Sequence, residues 1–153
     1  MISAVPAAAS GATAARPPRA ERRLRRKLRD DEALIAWGRA WLSRDGKLHG
    51  LLAARTLDFV VLTADNLLVF STGFFSRRPR RRVYQMPLDR LFAEERKASR
   101  GRCLAIWTKG RRPLLLQMRS THRNEDVADR ILRRVAESEA QMKLQLQAPA
   151  DEE

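Results

Sequence analysis

The sequence predicts a mainly β domain with helices at both ends: an antiparallel body of about seven strands, a short basic helix before it and an amphipathic helix after it. Between Leu34 and Ser120, short runs rich in Val, Leu, Phe and Trp alternate with turn residues at nearly regular spacing, which is typical of antiparallel strands. Beyond Ser120 the apolar residues recur with a helical period. A chain of 153 residues is long enough for one such domain plus tails.

The N-terminal region divides into a tail and a basic helix. Residues 1–20 are rich in Ala and Pro with few large apolar side chains, so we expect a disordered tail that buries too little surface to offset its ordering entropy. Residues 21–32 form a predicted basic helical lead-in, with Leu24, Leu28 and Leu34 on one side and arginines around the rest. Such a thin apolar stripe favours a helix docked on the domain, with a solvated basic face, over an autonomous lipid anchor. The acidic run Asp30 to Glu32 is explained by ion pairing beside this basic helix or by capping of the first strand.

The predicted domain covers residues 33–140 and contains all the strands. In the first strand, Ile35, Trp37 and Trp41 share one face, and small residues on the other face let the strand curve against a second sheet. A turn at Asp65 and Asn66 joins the second and third strands into a hairpin, and the last three strands make the second sheet. The predicted strands span residues 34–42, 57–63, 67–73, 82–86, 91–98, 103–108 and 113–118.

One amphipathic helix is predicted at the C-terminal end of the domain. Its cap is Thr121 or Asn124, and the acidic residues that follow suit the positive end of a helix dipole. Residues 141–153 are predicted to be a frayed acidic tail. The apolar stripe of the helix consists of Val127, Ala128, Ile131, Leu132 and Val135.

Three phrases carry a family resemblance: DEALIAWGRAW, then DFVVLTADNLLVFSTG, then a basic loop and RVYQMPLDRL. They are similar to those of bacterial pleckstrin-homology (PH)-like domains, over roughly residues 30–137. The resemblance implies a two-sheet antiparallel sandwich or barrel, capped by the C-terminal helix. It also implies that the loops after the first, third and sixth strands lie together at one end of the sandwich.

Positive charge is concentrated in those three loops, in a chain whose net charge is +13. The resemblance brings them into one patch, which would attract an anionic partner. Phe74 and Phe75 precede the arginine loop, and because a strand alternates its faces, we expect an outward-facing phenylalanine to insert into a membrane beside the arginines. The predicted anion- and lipid-binding residues are Arg44 and Lys47, with His49 nearby; Arg77, Arg78, Arg80, Arg81 and Arg82; and Lys109, Arg111 and Arg112.

These features predict a noncatalytic, cytoplasmic module that associates peripherally with the inner face of an anionic membrane, without cofactor or metal. The sequence around His49 and His122 shows no pattern of a catalytic triad. Cys103 is the single cysteine, so no internal disulfide can form. An acidic protein partner, an assembly role and self-association remain open, because charge alone does not separate lipid from protein. Nucleic-acid binding would be nonspecific, because Trp37, Trp41 and Trp107 have the spacing of packing residues and no base-reading motif is present.

Overall fold

The structure is a computed structural model that describes residues 16–43, 57–72 and 77–147. Within these ranges a short helix precedes seven strands, and a long helix follows them. A single 3₁₀ turn, Leu88–Arg90, lies between the fourth and fifth of these strands. The elements are α1 (Arg19–Lys27), β1 (Ala36–Ser43), β2 (Asp58–Leu62), β3 (Asn66–Thr72), β4 (Pro79–Pro87), β5 (Leu91–Arg96), β6 (Arg102–Thr108), β7 (Leu114–Met118) and α2 (His122–Gln147).

Strand β1 joins two antiparallel sheets into one open seven-stranded arrangement, in the order β4-β3-β2-β1-β7-β6-β5. Its first part, Ala36–Ala40, pairs with β2, and its last part, Trp41–Ser43, pairs with β7. The predicted second sheet of the last three strands is confirmed. Seven antiparallel strands followed by a C-terminal helix confirm the PH-like fold that the resemblance implied.

The main core lies between the sheets and α2. The small residues of β1 turn toward this helix, and a Cβ added to Gly38 would lie 2.7 Å from Asn124 Oδ1 and 2.8 Å from Val127 Cγ1. Ala36 and Ala40 are buried in the same core. The small face of β1, predicted to curve against a second sheet, therefore gives α2 room to approach.

A buried asparagine ties α2 to the strands beneath it. Asn124 Oδ1 accepts a hydrogen bond from the Arg39 backbone N–H at 3.0 Å, and Asn124 Nδ2 donates to the Arg119 carbonyl at 3.0 Å. The helix cap is Thr121, whose Oγ1 accepts from the Asn124 backbone N–H at 3.2 Å. Of the two predicted caps, Thr121 is therefore confirmed, and Asn124 instead satisfies backbone groups near the point where β1 changes partner.

The opposite face of the first sheet is covered by α1. Leu24 is fully buried there against an aromatic cluster that includes Trp37, Phe59 and Phe70. Leu28 and Leu34 pack against the same cluster. The prediction of a docked helix is confirmed, and the packing fixes α1 along the outside of the sheet.

Several predicted boundaries and faces are wrong. β4 begins at Pro79, so Arg80 and Arg81, which were predicted to precede the strand, belong to it; proline is accommodated because it is the first residue of an edge strand. α2 continues to Gln147, into the predicted tail, and α1 begins at Arg19, inside the predicted N-terminal tail, of which residues 1–15 lie outside the described residues. Ile35, predicted to share a face with Trp37, is 46% exposed and lies just before β1, which begins at Ala36.

Candidate anion-binding site

The antiparallel register brings the end of β1, the end of β3 and the β6–β7 turn to one end of the sheet. Ser43, at the end of β1, pairs with Leu115 near the start of β7, so the β6–β7 turn lies beside the point where β1 ends. At the same end, Thr72 pairs with Pro79, and its backbone N–H donates to Asp58 Oδ1 at 3.3 Å. The end of β1, the end of β3 with the start of β4, and the β6–β7 turn therefore share one end of the fold.

The described cations at this end are exposed, and together they form what we call the basic edge: Arg77, Arg78, Lys109, Arg111 and Arg112. The sequence predicted every one of them. Other predicted residues, Arg44, Lys47, His49, Phe74 and Phe75, lie outside the described residues.

A tight turn presents the β6–β7 cations. The Arg111 backbone N–H donates to the Thr108 carbonyl at 3.0 Å, which closes the turn. Gly110 has a φ of +79°, a conformation that glycine adopts without steric cost. The turn thus holds Lys109 and Arg111 on either side of a glycine, with both side chains exposed.

The arginines of β4 are not equivalent. Arg80 and Arg81 are exposed, whereas Arg82 forms a two-pronged ion pair with Glu32, at 3.0 Å from Nη1 to Oε1 and 2.9 Å from Nη2 to Oε2. The Arg82 guanidinium also lies over the Phe70 ring, 5.5 Å from its centroid. Arg82 therefore links β4 to the segment after α1, and the predicted role of the acidic run, ion pairing, is confirmed for Glu32.

A cleft whose described lining residues are all arginines lies between α1 and the start of β4. We call it the arginine cleft; its volume is about 310 Å³ and its lining residues are Arg19, Arg22, Arg23, Arg26 and Arg78. The four from α1 are spaced i, i+3, i+4 and i+7, which places them along one side of the helix. Within the described residues, none of these four has a carboxylate within 4.0 Å, whereas their neighbour Arg25 pairs with Glu21 at 3.4 Å.

The charges of the cleft repel one another. The pKa of the Arg23 guanidinium is lowered, first by desolvation and then by the positive charges of the other cleft arginines, with Arg78 the strongest. Arginine stays charged at neutral pH in any case. The outcome is a concentrated positive potential that favours a bound anion.

Strand β1 also contributes a cation near this end of the sheet. Arg39 of β1 is half-buried, its guanidinium lies 4.5 Å from the Phe59 ring centroid, and its Nη2 donates to the Leu57 carbonyl at 2.8 Å. Its pKa is lowered by desolvation and by the charge of Arg77, and raised by Asp58. The positive potential around Arg77 therefore reaches the strand surface beneath it.

Sequence reasoning missed Arg19, Arg22, Arg23 and Arg26 as site residues. It identified the basic face of α1 but treated it as a solvated surface. Their 3–4 spacing beside Leu24 and Leu28 was a usable signal, because a helix that docks through two leucines holds an adjacent stripe near the surface on which it docks.

Other chemistry-bearing groups are dispersed. In residues 16–43, 57–72 and 77–147, no three His, Cys, Asp or Glu side chains group in a way that could hold a metal ion. Cys103 is buried in the second sheet, and burial raises the pKa of its thiol, which keeps the thiol protonated and unreactive. Among these residues no helix combines the length and apolarity needed to span a membrane.

No protein-family model matches the sequence, and no curated protein matches it. The chain is similar in fold to the crystal structure of a pleckstrin homology domain from Shewanella amazonensis SB2B. The TM-score is 0.44 with 16% sequence identity, and the match covers 75% of this chain and 94% of that one.

Proposed function

We propose that this chain is a noncatalytic PH-like binding module that associates peripherally with anionic membrane surfaces through its basic edge. One observation carries the proposal: exposed cations from two separate connections, Arg77 and Arg78 before β4 and Lys109, Arg111 and Arg112 after β6, lie at the same end of the sheet. An anionic membrane is a flat, negatively charged surface, and cations at one end of the sheet can contact it together.

The strength of such an edge follows from general membrane electrostatics. Each Lys or Arg close to an anionic surface contributes about 1 kcal/mol at moderate salt. A handful of cations therefore supports reversible binding, which weakens as salt shortens the range of the interaction. Exposed Arg80 and Arg81, on the first residues of β4, extend the same charge along the edge strand.

Membrane insertion by Phe74 and Phe75 remains part of the proposal. Only Ser76 separates these residues from Arg77 in the sequence. An apolar side chain inserted at the headgroup boundary adds a contribution that salt does not screen. Replacing both with serine should therefore make vesicle binding weaker and more sensitive to salt, while leaving the binding of duplex DNA unchanged.

Cosedimentation of the full chain with vesicles tests the proposal. Neutral phosphatidylcholine vesicles are compared with vesicles that also contain phosphatidylglycerol, at low salt and at about 150 mM salt, where the Debye length is about 8 Å. The key variant is Arg111→Gln/Arg112→Gln. Its matched control is Lys97→Gln/Arg100→Gln, which removes the same charge from exposed residues around the β5–β6 turn, at the opposite end of the strands.

We expect binding only to the anionic vesicles, persisting at about 150 mM salt. The Arg111→Gln/Arg112→Gln variant should lose most of the binding while the control keeps it. Equal losses in the two variants would mean that net charge and not the basic edge is responsible. Displacement from the vesicles by duplex DNA, or no binding to any vesicle, would contradict a membrane role and favour nucleic acid or an acidic protein as the partner.

A further inference from the structure

We infer that the arginine cleft is a distinct site for a compact, phosphate-dense anion, one that concentrates several negative charges in phosphomonoester or polyphosphate groups. The inference rests on the proposed function for its setting, an anionic membrane, but apart from Arg78, which belongs to both sites, it concerns different residues. It assigns a binding role to α1. It also distinguishes the arginine cleft, which selects one kind of anion, from the basic edge, which binds any anionic surface.

The shape of the cleft favours a small ligand. Its volume of about 310 Å³ is at the lower end of the roughly 300–1,000 Å³ typical of small-molecule sites. A flat membrane surface cannot enter a concavity of this size, whereas a single headgroup or a soluble phosphate compound can. The described lining residues are all arginines, so an apolar ligand is poorly suited to the cleft.

The charge of the cleft favours several negative charges on one ligand. Five arginines face a single volume, and the four from α1 have no carboxylate within ion-pairing distance among the described residues. A phosphodiester brings one negative charge, while a phosphomonoester brings about 1.5 to 2 at pH 7. Guanidinium forks also bind phosphate oxygens in pairs, so adjacent phosphate groups would use several arginines at once.

The mounting of α1 keeps these arginines in place before a ligand arrives. Leu24 is fully buried and Leu28 packs against the same aromatic cluster, so the helix is fixed on the sheet. A site assembled on a docked helix loses less entropy on binding than one assembled on a loop.

Calorimetric titration of the full chain with tripolyphosphate, at about 150 mM salt, tests the cleft independently of any membrane. The cleft variant is Arg22→Gln/Arg26→Gln, two exposed positions where glutamine preserves helix propensity. The controls are Arg111→Gln/Arg112→Gln on the basic edge and Lys97→Gln/Arg100→Gln at the opposite end, because all three variants lose the same charge.

We expect the cleft variant to bind tripolyphosphate at least tenfold more weakly than the wild type, and both controls to bind within about twofold of it. Equal weakening in the three variants would overturn the inference, since it would show general electrostatic attraction. Unchanged binding by the cleft variant would overturn it as well. Circular dichroism of each variant establishes that α1 and the sheets remain folded.

Vesicles distinguish a lipid source of the anion from a soluble one. Phosphatidic acid presents a phosphomonoester and phosphatidylglycerol a phosphodiester. If the ligand is a headgroup, Arg22→Gln/Arg26→Gln should bind phosphatidic acid vesicles more weakly and phosphatidylglycerol vesicles normally. If only tripolyphosphate binding is lost, the cleft serves a soluble anion.

The two proposals fail in different ways. A wild type that binds tripolyphosphate through the cleft but binds no vesicle would overturn the membrane function and support the cleft. A wild type that binds anionic vesicles through the basic edge but does not bind tripolyphosphate would overturn the cleft and support the membrane function.

Discussion

Two groups of arginines in this molecule differ in how their charge is balanced. Arg102 of β6 lies between two acidic side chains, at 2.8 Å from Glu95 and 2.6 Å from Asp129, and hydrogen bonds to both raise its pKa. Arg23 of the arginine cleft lies among other cations, and its pKa is lowered. Arginine therefore stabilises the fold in the region of Arg102 and creates an unbalanced positive potential in the arginine cleft.

The difference indicates which arginines serve folding and which serve binding. Arg82 belongs with Arg102, because it pairs with Glu32 and packs over an aromatic ring. An arginine with an intramolecular partner makes the native state more stable, whereas an arginine held among like charges costs stability until an anion arrives.

Replacing Leu24 with alanine removes the anchor on which the arginine cleft depends. Leu24 is fully buried, and large-to-small changes at such positions lower the free energy of unfolding by about 2 to 5 kcal/mol. We expect a loss in this range in urea denaturation, together with weaker tripolyphosphate binding. Leu144→Ala is the control, because that side chain is 67% exposed; similar stability losses in the two variants would contradict the docking of α1.

Replacing Glu32 with glutamine leaves Arg82 without its ionic partner. The side chains of this pair are only 18% and 10% exposed, and hydrogen bonds to charged groups contribute about 1.5 to 3 kcal/mol. We expect the free energy of unfolding to decrease by that amount, with tripolyphosphate affinity unchanged. A double-mutant cycle with Arg82→Met measures the coupling directly, and a coupling energy near zero would remove Arg82 from the stabilising group.

Replacing Arg102 with methionine should have a smaller effect. Glu95 and Asp129 are 46% and 59% exposed, and pairs in contact with water contribute about 0 to 1 kcal/mol each. We expect a loss of about 1 kcal/mol at low salt that shrinks at about 1 M salt, where the Debye length is about 3 Å. A loss that does not change with salt would indicate that Arg102 acts through packing and not through charge.

Replacing Arg23 with glutamine should have the smallest effect on stability and the opposite sign. Removing one cation relieves repulsion from its neighbours, so the urea midpoint should rise slightly at low salt, and the gain should disappear at high salt. A lowered midpoint at low salt would show that Arg23 stabilises the fold and would contradict the division between the two groups.

The sequence predicted the elements whose signals are local. The hairpin of β2 and β3 was marked by its turn residues, α2 by its apolar period, and the docking of α1 by Leu24 and Leu28. Each of these signals is contained within a short window, where side-chain periodicity reports which face is buried.

The partners of the arginines could not be predicted, because they depend on contacts between distant segments. Glu32 meets Arg82, and the cleft brings Arg26 to Arg78, only once α1 has packed beside the edge strand β4. The prediction of a loop at Arg80 and Arg81 was wrong for a related reason. Proline usually interrupts a strand, and only the position of β4 at the sheet edge makes Pro79 acceptable at its start.

The division between arginines that stabilise the fold and arginines that bind an anion is tested most directly by urea midpoints, each measured with and without tripolyphosphate. The proteins compared are the wild type, Arg22→Gln/Arg26→Gln and Glu32→Gln. A ligand at 100 times its dissociation constant stabilises a protein by about 2.7 kcal/mol. The account predicts this gain for the wild type and for Glu32→Gln, which starts from a lower stability, and little gain for Arg22→Gln/Arg26→Gln. An equal gain in all three proteins would contradict it, because the cleft arginines would then have no special part in holding the anion.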